Sequence, residues 1–320
     1  MMERKQIFVT IFLGVLLWLP TLSGKVWAQQ PERAPATLTP AQLAELLDRV
    51  APRTEQFREV FKDLTAEEHR HFELFKPDGA LDKEHRTVAD LIIYQSQRDA
   101  KRVSEFRNIR TVDGAPVNKQ QERLEKLFER LQKADSADKE MGRIIQESTR
   151  YDFGFQLAGY LFFKAIASHK VLHPFFKYEA AGWERIGERD LLVVKFEQTQ
   201  FRDGLFGLKT VFNTPRYAGP LLRGTYWIDP DTAEIWREHH EIFFRDQTSA
   251  ATPKVIEADF DFAPSKFAVF LPQRVTLQYF NPRKAKGSAP PETYRAARVT
   301  SEFGAFQRFN TEGKQENLSR

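Results

Sequence analysis

The chain has no cysteine among its 320 residues. That absence excludes disulfide staples, cysteine-ligated metals, a thiol nucleophile and lipid attachment at an N-terminal cysteine. A strong charge of either sign is missing too. The formal net charge is +4, and it falls to +2 once residues 1–28 are set aside with Arg4, Lys5, Lys25 and Glu3. Basic residues occur in short pairs interleaved with acidic ones, so nothing suits a nucleic-acid partner. After residue 28 there is no apolar run of membrane-spanning length, and no internal repeat or low-complexity tract. The motifs of familiar chemistry are also lacking: there is no GxSxG elbow and no HExxH. Gly204 and Gly207 lie outside the strand–turn–helix setting that phosphate binding needs. The sequence therefore reads as that of a non-enzymatic protein with no cofactor and no metal.

What is present starts at the N-terminus. Arg4 and Lys5 precede the apolar run IFVTIFLGVLLWL at 7–19, which is shorter than the roughly 20 residues of a membrane helix. Pro20 and Gly24 break it, and Val26 and Ala28 take the −3 and −1 positions of a cleavage site. Residues 1–28 thus have the plan of a secretory signal peptide, with an uncleaved anchor as the alternative. The expected location is periplasmic or secreted, with no stable membrane span after cleavage.

Residues 29–40 read as a flexible Pro- and Ala-rich leader, and 41–100 as a mainly helical region. Thr39-Pro40 has the form of an N-cap followed by proline at the first helical position, with Leu43, Leu46, Leu47 and Val50 at helical spacing. Pro52 is expected to end that helix, and Phe57, Val60, Phe61 and Leu64 to mark a second one. Thr65-Ala66-Glu67-Glu68 resembles a capping box opening a third, through Phe75. Segments 91–94 and 103–112 have strand patterns. NKQQERLEKLFERLQK at 118–133 is amphipathic, with Leu124, Leu127, Phe128 and Leu131 on one face, and the stretch to Ser148 also reads as helical. YLFFKAIA at 160–167 reads as a short buried helix.

The second half reads as β. Strands are expected at 191–198, 224–229, 233–244, 255–262, 273–280 and 294–309, with Asp229-Pro230-Asp231-Thr232 as a hairpin turn. In VIEADFDF, Ile256, Ala258, Phe260 and Phe262 share one face, and Glu257, Asp259 and Asp261 the other. The expected fold class is α+β: a curved antiparallel meander or half-barrel covered by helices and preceded by an N-terminal helical region.

The titratable clusters give no site. His69 and His71, placed on a helix, diverge there. His169 and His173 have the spacing of helical zinc ligands, but Pro174 follows at once. In a strand, His239 and His240 face opposite ways, and His239 joins Arg237 and Glu241 in an outer polar ladder. Asp229 and Asp231 belong to a turn, without a calcium loop around them.

One resemblance adds to this. GTYWIDPDTAEIWREHHEI, then LPQRVTLQY, then YRAARVTSEFGAFQRFNT with Tyr294, Phe303, Phe306 and Phe309, resemble in their order the LolA-like group. Its members are periplasmic proteins with an incomplete antiparallel barrel whose inner face is closed by helices. SEFRNIRTVDGAPVNKQQERLEKLF at 104–128 resembles the passage from strand through a VDG turn into a helix in such proteins. The resemblance covers 103–311, so the domain expectation is a LolA-like sheet domain at 101–311 with a polar tail at 312–320. It implies an apolar cavity between half-barrel and helices.

Phenylalanine supplies 28 residues, enough to line such a cavity or to fill a core. The leading expectation is an exported protein binding a lipid, an acyl chain or a lipidated partner such as a lipoprotein. Its apolar wall would comprise Ile256, Ala258, Phe260, Phe262, Phe303 and Phe306. The alternative is an envelope interaction module with a packed core and no ligand.

Overall fold

The computed structural model describes residues 38–99, 102–155, 160–199, 217–246, 252–282 and 293–308. The signal-peptide reading, most of the leader, Phe309 and the C-terminal tail lie outside these. The architecture is α+β, built on one large open antiparallel sheet. It is entered by helix α1 (Pro40–Phe61) and interrupted once by helices α2 (Gln120–Gln132) and α3 (Ala137–Ser148).

The strands are β1 (Leu64–Phe75), β2 (Leu81–Gln95), β3 (Val103–Val112), β4 (Ala115–Pro116), β5 (Phe176–Ile186) and β6 (Arg189–Gln198). They continue with β7 (Tyr217–Asp229), β8 (Glu234–Asp246), β9 (Lys254–Pro264), β10 (Phe270–Pro282), β11 (Thr293–Phe303) and β12 (Gln307–Arg308). Their order across the sheet is β4-β3-β2-β1-β11-β10-β9-β8-β7-β6-β5, with β12 on β1. Two meanders therefore meet where β1 pairs β11, from Glu68↔Phe303 to Leu74↔Ala297. The strand expected at 294–309 is divided: β11 stops at Phe303, the Gly304 N–H donates to the Glu67 carbonyl at 2.8 Å, and the chain resumes as β12.

Two N-terminal expectations are corrected. α1 runs unbroken through Pro52. The backbone bond that proline forfeits lies on the exposed side, while Leu43, Leu46, Leu47, Val50, Thr54, Phe57 and Phe61 keep one buried stripe in phase across it. The expected capping of α1 is present, with Gln42 N–H on the Thr39 hydroxyl at 3.3 Å. Residues 65–75 form strand β1, not a helix, so the helical reading of 41–100 holds only to Phe61. Ala66, Glu68, Arg70 and Phe72 point inward and are buried there. Two charged residues at inward positions conceal the period of two that marks a strand.

α1 and the three 3₁₀ turns Tyr160–Phe163, Ile166–Ser168 and Lys170–Phe175 join the inner face of the sheet in one hydrophobic cluster. α2 and α3 form a smaller cluster with Phe106, Ile92 and Tyr94 on the opposite face of β2 and β3. α3 also guards an edge. The Ser148 hydroxyl accepts from the Arg107 N–H at 3.2 Å and donates to the Glu105 carbonyl at 3.1 Å, beyond the two residues where β4 continues the ladder. An edge covered this way cannot template another strand. Among the described residues no helix is long and apolar enough to cross a membrane.

Candidate functional site

The inner face follows from register. Ile256 lies opposite Ile242 and Tyr279, Ala258 opposite His240 and Leu277, and Phe260 opposite Glu238 and Val275. Ile256, Ala258, Phe260 and Phe262 therefore form one column on β9, and the Phe260 and Phe262 rings lie 6.0 Å apart and parallel within 2°. Phe303 and Phe306, with ring centroids 6.0 Å apart, extend the wall toward α1, where Phe306 meets Phe61. All six expected residues belong to one continuous apolar cluster.

The wall is occupied by the protein's own chain. Residues 160–175 lie on it, fastened by polar links at their backbone. The Leu161 N–H donates to Glu105 Oε1 at 2.6 Å, and the Ala165 N–H to both Glu238 oxygens at 2.8 and 2.9 Å. Ala167 is held at both ends, its N–H on the Tyr226 hydroxyl at 3.1 Å and its carbonyl receiving the Tyr178 hydroxyl. Ser168 meets Thr54 of α1 at 3.0 Å. Lys164 reaches the Phe270 carbonyl at 2.8 Å, with its ammonium 4.6 Å from the centre of the Phe57 ring and 4.4 Å from that of Phe262. Burial lowers its pKa to about 8 against the opposing pull of Glu238 and Glu234.

The inner charges form a second group. Arg70 makes a two-pronged bond to Asp152 at 2.8 and 3.2 Å. Arg107 reaches Glu68 at 2.5 Å and Glu105 at 2.8 Å. Burial pushes Glu68 up, but Arg107 and Arg70 outweigh it and hold the carboxyl below its ordinary range. For Glu105 burial prevails and the pKa rises. His240 Nε2 stands 3.0 Å from Glu238 Oε2, off the hydrogen-bonding direction. The Arg70–Asp152 and Arg107–Glu68 links were not legible beforehand, because each joins residues far apart in sequence that individually look like surface positions.

The outer face is polar and in register over nine strands. One row reads Arg86, His71, Thr300, Thr276, Asp259, His239, Thr225, Lys195 and Glu179. His69 and His71 share this face instead of diverging, and bond Glu67 and Glu84, each at 2.7 Å. His239 takes the expected outer place, its ring bonded to Asp259 at 2.8 Å while His240 points inward. That bond raises the His239 pKa, helped by the Glu257 and Glu241 charges. His169 lies between two 3₁₀ turns and His173 within the second of them; the former pairs with Glu55 at 2.6 Å and the latter with the Ser168 carbonyl at 2.8 Å. His239, Glu257 and Asp259 are the described residues whose donor atoms converge enough to hold a metal ion. Among the described residues the face has an open depression of about 660 Å³ beside His69 and His71 and another of about 650 Å³ beside His239 and Thr225.

No protein family and no curated protein matches the chain. Solved structures do. A DUF1329 family protein from Desulfovibrio piger is 9% identical, with a TM-score of 0.31 over 85% of this chain and 98% of that one. A putative outer membrane lipoprotein-sorting protein domain from Vibrio parahaemolyticus is 7% identical, with a TM-score of 0.34 over 86% and 98%. A LolA superfamily protein from Nitrosomonas europaea is 10% identical, with a TM-score of 0.30 over 82% and 94%. The chain is thus similar in structure to LolA superfamily, lipoprotein-sorting and DUF1329 proteins at low sequence identity. The likeness is one of architecture alone.

Proposed function

We propose that this protein is an exported, non-catalytic carrier or sensor of an apolar chain: the acyl part of a lipid or of a lipidated partner. The chain would lie between the inner wall and residues 160–175, against Ile256, Ala258, Phe260 and Phe262, with Phe303 and Phe306 at the α1 end. Export rests on the signal-like residues 1–28.

The fastening of the cover carries the reading. Its turns are short, and Glu105, one of the carboxylates that hold them, keeps Arg107 on the sheet as a second partner at 2.8 Å. Lifting the cover therefore leaves Glu105 paired, where a stranded charge would cost several kcal/mol (roughly 3–5). A hydrocarbon chain then replaces the apolar contacts of Leu161 and Ile166, at about 2–3 kcal/mol for each side chain covered again.

A second reading rests on a different observation. Ile256, Ala258, Phe260 and Phe262 are already no more than 4% exposed, as in an interaction module with a permanently packed core. Native mass spectrometry separates the two. The protein is purified from an exporting host without detergent, and measured again after incubation with phospholipid vesicles. A discrete added mass, lost on organic extraction, is expected. A bare polypeptide mass under both conditions refutes the carrier and leaves the packed module.

A further inference from the structure

The geometry points to a divalent-metal site of the zinc class on the outer face, with His239, Asp259 and Glu257 as ligands. It is independent of any ligand on the inner wall. His239 and Asp259 are directly opposed across β8 and β9, and Glu257 is two residues from Asp259 on the same face. Both strands are interior to the sheet, flanked by β7 and β10, so the three side chains stem from backbone that is fixed on both sides. Sites built on such elements are more closely set than sites on loops.

The donors suit the ion. One imidazole nitrogen and two carboxylates make a mixed N/O set that zinc accepts, and three protein ligands leave a fourth position open. Donors on a tetrahedral zinc at about 2.0–2.1 Å lie about 3.4 Å from one another. Here the His239–Asp259 pair is 2.8 Å apart and all three donor atoms fall within 4.8 Å. Side-chain rotations of an ångström or so would bring them onto one ion. Two carboxylates also balance its charge.

The surroundings fit ligand-holding groups. Gln278 donates to Glu257 Oε1 at 3.0 Å and Lys254 bonds Oε2, which fixes the carboxylate plane. Each carboxylate oxygen has two lone-pair sites, so Oε1 keeps one for a metal. Arg223 is drawn aside by Glu241 at 2.7 Å, while Lys254 divides its ammonium between Glu241, at 3.1 Å, and Glu257, so a bound cation would have to displace it from that carboxylate. Arg237, two residues from His239 on the same face, is held by Asp261 at 2.9 Å. The open coordination position has room in the adjoining depression lined by His239, Thr225 and Glu241.

The test is calorimetric titration of the full, untagged chain with ZnCl₂ after chelator washing, paired with Co²⁺ as a spectroscopic probe. Saturable binding of one ion per chain is expected. His239→Ala should weaken it more than about 100-fold, and Gln278→Leu about 10-fold, as second-layer partners do. His71→Ala, on the same face, should leave affinity unchanged. Co²⁺ should give a visible d–d band that His239→Ala abolishes. Absence of saturable binding overturns the site. So does a folded His239→Ala variant that binds like the wild type, or a loss that follows His71 instead.

Discussion

Replacing Lys164 by methionine removes the charge from the centre of the cover and keeps most of its apolar stem. In the wild type this ammonium is fully buried between two phenylalanine rings, and its pKa drops from 10.5 to about 8. The sign follows from proton counting. Between those two values the unfolded chain holds the proton more often than the folded one, so stability rises with pH through that window. Over the whole interval the gain is about 3 kcal/mol, and from about pH 7.5 to about pH 10 it is about 2 kcal/mol. Lys164→Met cannot show it. Urea unfolding, followed by tryptophan fluorescence at a series of pH values, gives the free energy of each protein. Their difference removes every titration they share. It should move by about 2 kcal/mol in favour of the wild type as pH rises across that range. A difference that stays constant to within about 0.5 kcal/mol would refute the burial of a charged Lys164, and with it the tight seating of residues 160–175.

Two further substitutions probe the sheet. Arg107→Met leaves Glu68 and Glu105 buried without their shared guanidinium, and should cost about 3–5 kcal/mol in urea unfolding; a loss under about 1 kcal/mol would mean that the network is wet. Gly224→Ala places a methyl 2.0 Å from the His239 carbonyl oxygen and 2.6 Å from the Phe196 ring tip. The first obstacle is backbone and cannot turn away, so a loss of at least about 1–3 kcal/mol is expected, and an unchanged Tm would contradict the β7–β8 spacing.

The strands that alternate cleanly were legible. β9 sets Ile256, Ala258, Phe260 and Phe262 inward and Glu257, Asp259 and Asp261 outward, as its letters indicate. β1 was not, because its inward charges are satisfied by Arg107 and Asp152, 39 and 82 residues away, and no local window contains them. α1 hid its continuity behind Pro52, where solvent takes the place of a lost backbone bond. The wall could be read from β9 alone. Its cover could not, since Glu105 and Glu238 reveal their role only beside Leu161 and Ala165. His239 was placed correctly on the outer face. That it stands against Asp259, 20 residues on, depends on the register of the two strands rather than on either one.

The seam between β1 and β11 makes the last long strand a fastener. Arg298 grips Glu73 across 225 residues of sequence, through two bonds at 2.5 and 2.6 Å. Until residues 293–303 are available, β1 and β10 each present an unsatisfied edge, and the two meanders have no ladder between them. Contacts so distant along the chain form late and slowly. The seam joining the two ends of the chain is thus expected to close last, and the vulnerable period lasts until the final long strand is in place. Truncation before residue 293 should accordingly yield two sticky half-sheets that aggregate, rather than a slightly smaller version of the same protein.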